Sequence, residues 1–288
     1  MTDNGLSPRS ADKRVEIFTA KEFSAPAFTR ALSHTLDLAE DTPVGTVVAT
    51  LASDEPDAAF GVAGGDVLGC FGVDAATGEV FVRRALDREA VAAFDLWVKV
   101  FHARRPLFFA AERIAVTVRD VNDNAPEFFS PLVKVRTQEE QYPPFFVAEV
   151  TASDADEGAN ADVVYAVAAE DDDGDFSVDP RSGIVTCNVR LDREAATERH
   201  LRVVAADGGD PPLTSTATVL VEVEDINDNA PLFTRLHSVN VSEGAAVGAV
   251  LLRVETRDLD TPPNANVTYR YIYFLIMFWQ VHLTVLHQ

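Results

Sequence analysis

Apolar residues take every second place along many short runs of this chain. In Thr216 to Glu224, the residues Ala217, Val219, Val221 and Val223 share one parity, while Thr218 and Glu222 fall on the other. Leu201, Val203 and Ala205 repeat the pattern, as do Ile114, Val116 and Val118. A period of two is that of a half-buried β-strand. Clusters of Gly, Asp and Pro separate the runs and supply turns. Gly78 and Gly183 read as hairpin ends, where glycine accepts a positive φ. Roughly seven short strands per hundred residues, without a long helical pattern, predict an all-β fold of antiparallel sandwiches.

The strands recur as larger units. Asp120-Val121-Asn122-Asp123-Asn124-Ala125-Pro126-Glu127-Phe128 returns as Asp225-Ile226-Asn227-Asp228-Asn229-Ala230-Pro231-Leu232-Phe233, and Ala25-Pro26-Ala27-Phe28 is a worn earlier copy. Such long spacing argues for beads with separate cores rather than a solenoid. The expected organisation is an irregular segment 1–24, repeat A at 25–128, repeat B at 129–233, a partial repeat C at 234–270 and an apolar tail at 271–288. Repeat C opens with Glu243 and Gly248 and loses the pattern after Tyr269.

Charge narrows the function. Among 288 residues, 46 are acidic and 24 basic, a formal charge of −22. A phosphate backbone needs clustered Lys and Arg, so nucleic acid is a poor partner. Many acids fall at repeated places at strand ends, a pattern suited to a hard cation. Calcium takes six to eight oxygen ligands from carboxylates and carbonyls. One loop rarely supplies so many, so the expected site gathers strand ends at a junction of repeats. The two cysteines, Cys70 and Cys187, lie in different repeats at unmatched places, which excludes a disulfide framework and predicts buried thiols. No nucleophile elbow, phosphate loop or zinc-protease motif occurs, and no enzyme activity is expected. The first ten residues carry no apolar leader segment.

These motifs name a family by resemblance. Asp-x-Asn-Asp-Asn-Ala-Pro-x-Phe, Leu-Asp-Arg-Glu (Leu86–Glu89, Leu191–Glu194), Asp-Ala-Asp-Glu-Gly-x-Asn (Asp154–Asn160) and Ala-x-Asp-Gly-Gly-x-Pro-Pro resemble the extracellular repeats of the cadherin superfamily over about residues 25–269. The details look closest to protocadherins and to Fat- or Dachsous-like cadherins. The resemblance implies tandem seven-stranded Greek-key sandwiches joined by calcium-binding linkers, about three calcium ions per complete junction, and calcium-dependent, homophilic cell–cell adhesion; a calcium-stiffened spacer or soluble decoy is the alternative. It implies another cadherin ectodomain as partner. It also implies the extracellular side of the plasma membrane for the full-length form, reached through parts outside this chain.

By the same resemblance, the A–B junction would be carried by Glu40, Asp87, Glu89, Asp120, Asn122, Asp123, Asp154, Asp156 and Asp207, with backbone carbonyls of Val121, Asn124 and Asn160. The B–C junction would use Glu139, Asp192, Glu194, Asp225, Asn227, Asp228, Asp258 and Asp260, with carbonyls of Ile226, Asn229 and Asn264. Glu139 is preferred to its neighbour Glu140 because it keeps the five-residue offset to the next turn that Glu40 and Glu243 keep. Repeat A has Asp54-Glu55-Pro56-Asp57 and Ala103-Arg104-Arg105 where ligands are expected, so its other pole should bind calcium weakly or not at all. Repeat C stops before its late Asp, leaving the B–C junction one ligand short.

Other features receive plainer readings. Asp171 to Asp175 does not fit the helix–loop–helix calcium spacing and is expected to be a solvated loop. Trp97 is expected in or half in the core. Asn240 and Asn266 head glycosylation sequons. The run Tyr271 to Trp279 is too short for a convincing transmembrane helix and is expected to be a sticky apolar end unlike a cadherin repeat.

Overall fold

A computed structural model of the chain describes residues 25–29, 35–235, 239–240, 244–274 and 280–287. Expectations placed on segment 1–24, on Glu243 and on 275–279 and 288 of the tail lie outside the described residues. The chain divides into two compact units, Met1–Val121 and Asn122–Gln288.

The first unit holds β1 (Thr35–Ala39), β2 (Val47–Thr50), β3 (Ala58–Gly64), β4 (Phe71–Val73), β5 (Glu79–Val82), β6 (Ala93–His102) and β7 (Arg105–Arg119). They form a four-stranded sheet in the order β1-β7-β6-β3 and a three-stranded sheet in the order β2-β5-β4. Leu96, Val98, Val100, Ile114 and Val116 from the larger sheet meet Phe71, Val80 and Val82 from the smaller in one core. Fully burying each such side chain stabilises by about 1.5–3 kcal/mol.

The second unit repeats the plan with β8 (Glu127–Phe128), β9 (Leu132–Gln138), β10 (Phe145–Glu149), β11 (Ala152–Ser153), a 3₁₀ turn (Gly158–Ala161), β12 (Val164–Val167), β13 (Phe176–Val178), β14 (Ile184–Cys187), β15 (Glu198–Ala206) and β16 (Thr214–Glu224). Its sheets run β12-β15-β16-β9 and β10-β14-β13, with β8 paired to β11. Leu201, Val203, Ala205, Ala217, Val219 and Val221 line the core, as their alternation predicts. Gly183 closes the β13–β14 hairpin at φ +69°, where an added Cβ would stand 1.9 Å from the Val150 carbonyl oxygen.

One difference from a wholly antiparallel sandwich matters for the site. β1 runs parallel to β7, with Thr35 opposite Ala115 and Ala39 opposite Arg119. β9 likewise runs parallel to β16, with Leu132 opposite Thr218 and Gln138 opposite Glu224. Period-two alternation assigns faces but carries no strand direction, so this pairing was invisible in the pattern. Its consequence is positional. The residue that follows the first strand lands beside the segment that follows the last.

After β16 come β17 (Leu232–Phe233), β18 (Thr256–Arg257), β19 (Val267–Phe274) and β20 (Gln280–His287). β17 pairs with β18 as β8 does with β11. β19 and β20 pair antiparallel from Val267–His287 to Phe274–Gln280. The described part of the tail is therefore strand, consistent with the alternation in Val281-His282-Leu283-Thr284-Val285. Among the described residues no helix is long and apolar enough to cross a membrane.

Trp97 corrects its expectation. It is 44% exposed, because Phe94, Leu96, Val98 and Val100 take the inner face of β6 and leave Trp97 on the outer one. Cys70 and Cys187 are both free and buried, and burial pushes both thiols above their ordinary pKa.

Candidate metal sites

Glu40 follows β1 directly and Glu139 follows β9. The parallel pairing brings each beside the end of its sandwich's last strand, and the backbone then clamps it. Glu40 Oε2 accepts a hydrogen bond from the Arg88 N–H at 2.8 Å and Oε1 from the Val121 N–H at 2.8 Å. Glu139 is held identically by Arg193 N–H at 2.8 Å and Ile226 N–H at 2.9 Å. Both carboxylates are buried, Glu139 to 2% exposure. Glu140, by contrast, faces outward and pairs with Arg190 at 2.8 Å.

Around these anchors the acids converge. Carboxylate oxygens of Glu40, Asp87 and Glu89 lie within 4.8 Å of one another, and so do those of Glu139, Asp192 and Glu194, and those of Glu194, Asp228 and Asp260. Crowding shows in the protonation equilibria. Burial, then the charge of Glu40, pushes Glu89 above the usual carboxylate range. Burial, then Glu139, does the same to Glu194. Burial raises Asp228, helped by the charges of Glu139, Asp260, Glu140 and Asp192. Like charges held this close favour a cation or a proton between them.

The turn residues complete the pattern. Asp156 accepts from Asn124 N–H at 3.3 Å and from Asn124 Nδ2 at 2.7 Å. Asp260 accepts from Asn229 N–H at 3.3 Å and from its Nδ2 at 2.9 Å. Asp154 Oδ1 accepts the Asp156 N–H, and Asp258 Oδ1 accepts the Asp260 N–H. Asn160 lies in the 3₁₀ turn. Asp225 is fully engaged: Thr261 N–H reaches it at 3.0 Å, Asn264 Nδ2 at 2.7 Å and Arg193 Nε at 2.6 Å. Against the opposing cost of burial, these partners hold its carboxyl below the ordinary range.

The buried Asp207 shows why two glycines follow it. It accepts from Gly209 N–H at 2.9 Å, and Asn122 Nδ2 donates to its Oδ1 at 3.3 Å and to the Pro211 carbonyl at 2.9 Å. A Cβ on Gly209 would lie 2.1 Å from the Asn122 amide. In the first sandwich a tight turn at Ala103 and Arg104 replaces this loop, and Asp54 and Asp57 are exposed. Asn227, which matches Asn122, is exposed as well.

The donor set fits a calcium ion. Asp154 Oδ2, Asp258 Oδ2 and Asn122 Oδ1 are buried and accept no hydrogen bond from the described residues. Buried oxygens normally have a partner. Asp154 and Asp258 occupy the same place in successive repeats, and the chemistry of each is the hard oxygen that calcium takes.

Sequence reading gave no role to the arginine of Leu-Asp-Arg-Glu. Arg88 pairs with Glu89 at 2.7 Å and with Asp120 at 2.5 Å. Arg193 pairs with Glu194 and Asp225 and donates to the Leu259 carbonyl at 2.8 Å. Its recurrence between two acids was the available signal. The loop Asp171 to Asp175 is also less free than expected. Asp171 takes Arg202 by Nε at 2.9 Å and Nη2 at 3.0 Å, while Asp173 and Asp175 hold Arg199.

The class is thus a tandem array of β-sandwiches with acid-lined poles. Residues 134–224 match the family model described as Cadherin domain. Protein dachsous of Drosophila melanogaster is 33% identical over 280 residues, which are 94% of this chain and 8% of that protein. Mouse cadherin-23 EC22-24 superposes with a TM-score of 0.73 at 25% identity, covering 86% of this chain and 82% of that one. The protocadherin gammaB7 EC3-6 cis-dimer structure gives 0.73 at 25% identity, covering 86% and 64%. The chain is built of cadherin-superfamily repeats, and it spans 8% of the length of dachsous.

Proposed function

We propose that this chain is part of a calcium-dependent cell–cell adhesion ectodomain. The observation that carries the reading is that Asp154 Oδ2 and Asp258 Oδ2, at the same place in successive repeats, are buried and accept no hydrogen bond from the described residues. Calcium would supply the positive charge these acids lack. Glu40, Asp87, Glu89, Asp120, Asn122, Asp123, Asp154, Asp156 and Asp207 form one proposed ligand set. Glu139, Asp192, Glu194, Asp225, Asn227, Asp228, Asp258 and Asp260 form the other. Val121, Asn124, Asn160, Ile226, Asn229 and Asn264 would add carbonyls. The number of ions, about three for a complete set, comes from the family. Binding to the folded chain stabilises it by mass action and orders the segments Asp120–Phe128 and Asp225–Phe233.

The proposed partner is another cadherin ectodomain, with homophilic pairing as the first case; the cis-dimer reported for protocadherin gammaB7 supports a cadherin-to-cadherin contact. An outer face bearing Trp97, Phe101 and Phe109, with Lys99 lying 5.3 Å from the Phe101 ring, supports an adhesive surface over a bare spacer. Asn240 and Asn266 are exposed, as glycan acceptors on an extracellular surface would be. Beads coated with the chain test the reading. Aggregation in calcium that chelator reverses is expected. Beads that stay dispersed in calcium, although the chain binds it, would reduce the chain to a spacer.

A further inference from the structure

Each acid pole already contains a cation. Arg193 is 11% exposed, ion-paired to Glu194 and to Asp225 at 2.6 Å, and donates to the Leu259 carbonyl at 2.8 Å. Arg88 is 12% exposed and ion-paired to Glu89 and Asp120. In both sandwiches the backbone N–H of the same arginine clamps the buried glutamate, Glu139 or Glu40. Two copies of one geometry, in separately built sandwiches, argue for a shared role.

We propose that Arg193 and Arg88 are resident counter-cations: each holds the glutamate of its own segment against the first aspartate of the exit segment, and by its charge raises the calcium concentration at which that pole fills. The inference rests on the calcium reading above and concerns what sets the affinity of those acids. A guanidinium fork matches two carboxylates better than an ammonium does, so the clamp and the charge can be separated by substitution. Removing the charge should favour a divalent ion at the same carboxylates. Removing only the fork should loosen the pole and leave the electrostatic opposition in place.

The test is calorimetric calcium titration of the full chain, with melting in chelator, for wild type, Arg193→Gln and Arg193→Lys. Arg193→Gln is expected to bind calcium about three- to tenfold more tightly, the scale of one unit charge acting on a divalent ion through a water-like dielectric, and to melt lower than wild type in chelator. Arg193→Lys is expected to keep the wild-type affinity within about twofold, because the charge survives, and also to melt lower in chelator. Equal or weaker calcium binding by Arg193→Gln would overturn the proposal. So would identical affinity changes in the two variants, which would mark a packing role. A flat isotherm for wild type would overturn the calcium reading and this inference with it; only that outcome is read from the wild-type chain alone.

Discussion

Replacing Glu139 by Gln is the sharpest perturbation of the buried anchor. Both oxygens are in use, one by Ile226 N–H at 2.9 Å and one by Arg193 N–H at 2.8 Å. Glutamine keeps one acceptor and turns an amide N–H₂ toward the other backbone donor. One hydrogen bond to a charged group is lost and a buried N–H is stranded, a cost of about 1.5–3 kcal/mol. The lost charge gives some of this back, because Glu139 is among the charges that raise Glu194 and Asp228. The net expectation in chelator is a loss of about 1–2 kcal/mol, which lowers the melting temperature by roughly 5–15 °C for a sandwich of about a hundred residues. In saturating calcium the gap should widen, since a proposed ligand is gone. Thermal melts of wild type, Glu139→Gln and Glu140→Gln, with calcium and with chelator, give the answer. Glu140→Gln should stay within about 0.5 kcal/mol of wild type. Glu139→Gln melting at or above wild type in chelator would refute the clamp.

Leu201→Ala removes a fully buried side chain from the second core and should cost about 2–5 kcal/mol, read as a lower urea midpoint at an unchanged slope; a shift under about 1 kcal/mol would mean the site collapses freely. Asp171 is held at about 2 by the hydrogen bonds of Arg202. Its folded pKa lies below the unfolded value of about 3.9, so its contribution is present above that value and lost as pH falls through about 2. The denaturation midpoints of wild type and Asp171→Asn should therefore differ at pH 5 and converge toward pH 2; a constant difference would deny the linkage. Trp97→Ala should leave stability within about 0.5 kcal/mol yet reduce calcium-dependent bead aggregation, and undiminished aggregation would remove the outer β6 face from the adhesive account.

The strands were legible because one face of each is dry. Ala217, Val219, Val221 and Val223 declare their face in the alternation alone and are buried as a set. Trp97 shares parity with Asp95 and Lys99 in β6, so its register places it on the outer face although its apolar character points to the core. Strand direction left no trace, because side-chain period is the same in parallel and antiparallel pairs. At the poles, repetition made the acids visible, and the convergence of Glu139, Asp192 and Glu194 follows it. The clamps on Glu40 and Glu139 come from backbone N–H groups, which every residue type but proline carries, so no sequence signal could mark them. The arginines of the two poles were in plain view. Their role needed the distances, since an Arg between acids in sequence is most often a solvated charge.

The central claim is that the acid poles bind calcium. Its most direct test is a calorimetric calcium titration of the full chain beside Asp260→Ala, followed by melting at each calcium level. The account predicts saturable uptake by wild type and a rising melting temperature, about 2.7 kcal/mol of added stability at a hundredfold excess over the dissociation constant, with uptake and stabilisation reduced in the variant. A wild-type isotherm without binding heat, and melts that ignore calcium, would contradict it.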